Sequence, residues 1–167
     1  CLKNNIFPLF NIEFIGLMKE EQQKGISIND PDKPGRIYFC GKGLDFPYEQ
    51  VLVQRFRLSR MRKKNQDQMK TMINNLNGLI APLNKSVKLT YKDIRDKYAM
   101  NLVSDRHLAK AIRHLAAETC KDAGSQLEFL EALYGGRKPK SDINDPAALE
   151  NEIRSNLFET GGAAFVE

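Results

Sequence analysis

The chemistry this chain could do rests on its cations. Arg55, Arg57, Arg60, Arg62, Lys63 and Lys64 fall within ten positions, with no acid among them. Guanidinium groups make the forked hydrogen bonds that phosphate accepts, so a run of this density points to a polyanion, and nucleic-acid backbone is the commonest one. Arg57, Arg60 and Lys64 share one face of a helix, and Arg55 and Arg62 share another. Two plainer readings stand beside it: a solvated helix, or an arginine-rich face matched to an acidic protein partner.

Catalytic and metal-binding patterns are not found. No serine sits in G-x-S-x-G, no H-E-x-x-H occurs, and no cysteine lies in a known nucleophile context. Cys1, Cys40 and Cys120 are widely spaced without a CxxC, which suits a reducing compartment such as the cytoplasm. His107 and His114 are seven positions apart on one helix, roughly 10 Å in rise and too far to share a metal. Gly41-Lys42-Gly43 lacks the third glycine of a dinucleotide loop and the Ser or Thr of a P-loop, so it reads as a turn that ends a strand. Asp93, Asp96 and Asp105 are explained as caps and solvated faces. A binding or structural protein is expected rather than an enzyme, with no cofactor and no metal.

A second set of cations lies in the stretch Leu89–Gly124. Thr90 with Asp93 reads as an N-cap opening a short helix to about Tyr98. After Ala99–Val103, Ser104 caps a longer helix reaching toward Gly124. Ile94, Tyr98, Leu102, Leu108, Ile112 and Leu115 are spaced to meet between the two helices. Through Leu89-Thr90, Asp93-Ile94, Tyr98, Val103-Ser104, Leu108, Ile112 and Leu115, the stretch resembles the helix-turn-helix class, over about a fifth of the chain. That resemblance implies that the second helix reads DNA. Arg106, Lys110 and Arg113, at i, i+4 and i+7, would then face the groove, opposite the apolar stripe. An ordinary helical hairpin with a charged outer face is the alternative.

Other elements must position these groups. Asp45-Phe46-Pro47 reads as a helix entry, and the helix then runs to about Ala81, before Pro82. Its apolar seam is Val51, Leu58, Met61, Asn65, Met69, Met72, Leu76 and Leu79, with a possible break near Asn65. Upstream, Leu9–Lys24 can form an amphipathic helix, with a strand over Ile6–Ile15 as the alternative. Ser27–Gly35 is a loop, Arg36–Cys40 a strand, and Val87–Leu89 a possible short strand. Leu127, Leu130 and Tyr134 suggest a helix ended by Gly135-Gly136. Asp145-Pro146 starts a last helix, whose apolar edge, Leu149, Ile153 and Leu157, could dock to a partner or cap this chain's own core.

The expected fold is mainly α: a helical domain over 1–135 containing the segment 89–124, a basic linker at 136–145, and a C-terminal helix and tail at 146–167. One long basic helix, a helix-turn-helix-like pair and one or two minor strands make it up. The chain has 167 residues and a net charge of +5, but the charge is uneven. Residues 125–167 hold eight acids and four bases, which leaves 22 bases and 13 acids in 1–124. A basic body with an acidic tail suggests a polyanionic partner. No stretch approaches the length of a membrane span, and the start at Cys1 rather than Met suits a piece of a longer protein. Nucleic-acid binding, DNA ahead of RNA, is the expected function. A structural or adaptor subunit docking through its apolar N-terminus and C-terminal helix is the alternative.

Overall fold

A computed structural model describes residues 2–4, 10–31, 33–44 and 52–166, and they form a mainly helical protein with one small antiparallel sheet. After a 3₁₀ turn at Leu2–Asn4, the chain forms β1 (Phe10–Leu17), a short α1 (Lys19–Gln23) and β2 (Arg36–Leu44). Five positions of β1 are aromatic, β-branched or leucine, and they alternate well enough to make a strand where an amphipathic helix was the first expectation. β2 covers the strand expected at Arg36–Cys40 but continues through Gly41-Lys42-Gly43, so these glycines do not end it. The ladder runs from Leu17↔Arg36 to Ile12↔Gly41 and then slips by one residue to reach Phe10↔Leu44. Two glycines beside Lys42 suit such an irregularity. At the turn end, Gly35 has φ +72 and donates its N–H to the Ile26 carbonyl. A Cβ there would stand 2.5 Å from the Met18 carbonyl oxygen, so only glycine closes this hairpin.

The chain divides into two compact units, Cys1–Arg55 and Phe56–Glu167. The division falls inside the segment 1–135 expected as one domain, and 146–167 belongs to the second unit. In the first unit both sheet faces carry exposed apolar side chains. Ile15, Leu17 and Tyr38 lie on one face, with Phe14 and Phe39 on the other.

The second unit is built on α2 (Leu52–Ile80) from Phe56 onward, α3 (Tyr91–Tyr98), α4 (Asp105–Thr119), α5 (Ala123–Leu133) and α6 (Pro146–Leu157). The helix entry expected at Asp45–Pro47 lies outside the described residues, and so does Val51. From Leu52 the helix is unbroken past Asn65. Its buried residues are Met72, Ile73, Leu76 and Ile80, so the core face covers only its last three turns. Leu58 and Met61, expected in the seam, lie beyond the core, and Met61 is exposed.

α4 is the central helix, packed against α3, α5 and α6. Leu108, Ala109, Ala111, Ile112, Leu115 and Ala116 are its buried face. Ile94 meets it from α3, while Leu102 is exposed and Val103 takes the buried place in the turn. Gly124 does not end this helix. Asp122 caps a new one, its carboxylate accepting the Ser125 N–H at 2.8 Å, and α5 runs to Gly135 and Gly136 at φ 69 and 88. α6 starts at the expected cap, with Asp145 Oδ1 accepting the Ala147 and Ala148 N–H groups at 3.0 Å. Leu149, Ile153 and Leu157 are buried against this unit's own core, so the C-terminal helix has no apolar edge left for a partner.

Two side-chain amides on α2 fix the chain around α3. The Asn77 amide donates to the Leu89 carbonyl and accepts the Leu89 N–H, both at 2.8 Å. Leu89 thus makes strand-like bonds to a side chain, and the short strand expected at Val87–Leu89 does not form. Three turns earlier, the Gln66 amide donates to the Val103 carbonyl at 3.3 Å and accepts the Val103 N–H at 3.0 Å. The Tyr91 hydroxyl donates to the same Gln66 oxygen.

Candidate nucleic-acid interface

These clamps divide α2 into two parts. From Gln66 to Ile80 the helix is held by the core and by Val103 and Leu89. From Leu52 to Asn65 it has no buried residue. This outer part spans fourteen residues, about 20 Å of helix. All six expected cations, Arg55, Arg57, Arg60, Arg62, Lys63 and Lys64, stand here and are exposed. Among the described residues none of them is paired with an acid. The first acid along the helix, Asp67, is salt-bridged at 2.9 Å to Lys70. The hydrogen bond from Lys70 holds the Asp67 carboxyl below its ordinary value, against a small burial effect, and the nearby Lys70 and Lys63 charges add to it. Leu52 and Phe56 are also exposed, at 80% and 73%, among the cations. Sequence pattern alone assigns neither residue a role.

The three α4 cations are not equivalent. Arg106 and Lys110 are exposed and, among the described residues, unpaired by acids. Arg113 is half-buried, and its Nε stands 2.8 Å from Glu150 Oε1 on α6. Its Nη2 also lies 3.1 Å from His114 Nε2. The expected stripe of three therefore presents two cations to solvent and spends the third on α6. A second tie joins the same helices: Arg154 Nε on α6 pairs with Asp105 Oδ2 at 3.0 Å, while Arg154 Nη2 pairs with Glu159 at 3.1 Å. A cleft of about 330 Å³ lies between them, lined by Arg106, Ala147, Glu150, Asn151 and Arg154. Its paired charges cancel, so it offers an anion little beyond Arg106.

The first turn of α4 is locked in a capping box. His107 Nδ1 accepts the Ser104 N–H at 3.0 Å and lies 3.1 Å from the Ser104 hydroxyl. Further along, burial holds the His114 imidazole below its ordinary pKa, and the Arg113, Lys97 and Lys110 charges push it the same way. These effects favour the neutral form of that histidine, whose ring lies against Tyr98 at 5.4 Å between centroids. Among the described residues no group of three or more His, Cys, Asp or Glu could hold a metal ion, and no helix is long and apolar enough to cross a membrane.

Gln66 and Glu150 are the positioning residues that sequence reasoning missed. Gln66 left one signal, an amide beside Asn65 where the apolar seam breaks. Glu150 left none, because it meets Arg113 from 37 positions away. No protein-family model matches this chain, and no curated protein or solved structure is similar enough to match it.

Proposed function

We propose that this protein binds nucleic acid, DNA ahead of RNA, through the outer half of α2. The observation that carries this reading is a helical segment with six exposed cations, none of them paired with an acid among the described residues. A solvated helix needs charges of both signs or a few of one. Six of one sign within ten residues repel one another and raise the cost of the helix unless an anion screens them. Arg106 and Lys110 of α4 would add backbone contacts, while Arg113 would serve the α4–α6 contact instead. A reducing compartment goes with this reading.

The test is binding to labelled duplex DNA, single-stranded DNA and RNA across a salt series. Affinity should fall steeply with log salt, because each phosphate neutralised releases counterions. An absence of binding to all three at low salt would refute the proposal. A second reading, a structural or adaptor subunit, draws on the exposed apolar faces of the β1–β2 hairpin. It predicts that replacing Ile15 and Phe39 by Ser abolishes assembly with a protein partner and leaves nucleic-acid binding intact.

A further inference from the structure

The geometry points to a particular mode of engagement: the outer half of α2 lies in the major groove of B-form duplex DNA, with phosphates on both of its sides. This rests on the proposed function and goes further, because it names the form of nucleic acid and the helix that enters it. At about 100° per residue, Arg57, Arg60 and Lys64 fall within an arc of roughly 60°, and Arg55 and Arg62 fall within roughly 20°. The centres of the two arcs are about 180° apart, on opposite sides of one helix. A flat phosphate surface can be met by only one such side. Two opposite basic sides match a channel with two negative walls.

The continuation of the core face supports the same conclusion. Residues eighteen apart lie in line along a helix, about five turns on. Arg55 is thus in line with Ile73, and Arg62 with Ile80, both buried in the core. Where the core ends, the sequence changes from isoleucine to arginine on that same line. That side of the outer helix is accordingly built for an anionic surface and not for more of the protein's own interior. Between the two basic lines lies a face of Leu52, Phe56, Ser59 and Lys63, with exposed apolar groups suited to thymine methyls. The dimensions also agree. A helix with its side chains is about 10–12 Å across and the B-form major groove is about 12 Å wide, whereas the A-form RNA major groove is too narrow to admit one.

The experiment compares two variants of the full chain, Arg57→Ala/Arg60→Ala/Lys64→Ala and Arg55→Ala/Arg62→Ala. Probes are a labelled DNA duplex, an RNA duplex of the same sequence and the separate single strands, each across a salt series. All five positions are exposed, so alanine leaves the fold intact, which circular dichroism checks. The wild type should prefer the DNA duplex, and guanine N7 methylation should block it. The slope of log affinity against log salt should lose up to about 2.7 in the triple variant and up to about 1.8 in the double. If only one variant changes the slope, the helix lies on a flat surface and the groove is refuted. Equal binding to RNA duplex or single strands refutes it too, and in both cases the proposed function survives. If no nucleic acid binds, both fall.

Discussion

Replacing Gln66 with leucine should cost far more than the side chain's half-exposed position suggests. The Gln66 amide makes a donor and an acceptor bond to the Val103 backbone and accepts from the Tyr91 hydroxyl. Leucine keeps the volume and excludes water, so Val103, only 3% exposed, is left with an N–H and a carbonyl that lack partners. Each intramolecular hydrogen bond contributes about 1 kcal/mol net, and a stranded buried N–H costs about 1–3 kcal/mol. The apolar gain from leucine offsets part of this. We expect a loss of about 2–3 kcal/mol, and a fall in Tm on the order of 10 °C. Urea unfolding followed by circular dichroism should show the midpoint shifting with the slope unchanged. Hydrogen exchange at the Val103 amide should accelerate in step. Gln66→Glu, which keeps both acceptor contacts but sets an oxygen against the Val103 carbonyl, should fall between. A Gln66→Leu protein within about 0.5 kcal/mol of wild type would show that the clamp is not what holds the α3–α4 turn.

Tyr134→Phe should be neutral or slightly stabilising, because the Tyr134 hydroxyl is buried with no hydrogen-bond partner among the described residues. Thermal unfolding checks it, and a loss above about 1 kcal/mol would mean that the hydroxyl is bonded after all. Asp145→Ala removes the cap of α6 and should cost about 1 kcal/mol, measured by urea unfolding, with Asp145→Asn recovering most of it. His114 is held below its ordinary pKa, first by burial and then by three neighbouring cations. The unfolded chain therefore binds its proton more readily, so this contribution is present above about pH 6.5 and is lost as the pH falls below it. A titration of the imidazole by NMR checks the direction, and a midpoint at or above the ordinary histidine value would contradict it.

The sequence was most legible where structure is set within a few residues. Thr90 accepts the Asp93 N–H, Ser104 opens α4 and Asp145 opens α6, as the cap patterns require. The apolar stripe Leu108, Ile112 and Leu115 is buried, and Gly135-Gly136 follows α5 directly. Legibility failed where distant partners decide. Phe10–Leu17 carries both helical and alternating apolar spacings, and β2 across the ladder selects the strand. Leu149, Ile153 and Leu157 form an apolar edge that a partner or the chain itself could cover, and only α4 shows which. Arg113 looks the same as Arg106 in a helical pattern until Glu150 is placed beside it. The six α2 cations are exposed, but the clamp that holds the helix beside them depends on Val103, 37 residues away from Gln66.

The overhang of α2 has a consequence for its own order. Starting a helix is the costly step, and the packed turns from Gln66 onward already meet that cost. Each residue from Asn65 back to Leu52 then adds only a propagation step, which is close to break-even in water. Like charges one turn apart, Arg57 with Arg60 and Arg60 with Lys64, tilt that balance toward unwinding. The order of these outer turns should thus respond to their ionic surroundings more than to packing. Added salt should deepen the 222 nm signal of the isolated protein, and a polyanion should do so at far lower concentration. A ligand laid along these turns would lengthen the helix that receives it, so the binding surface is partly made by what binds.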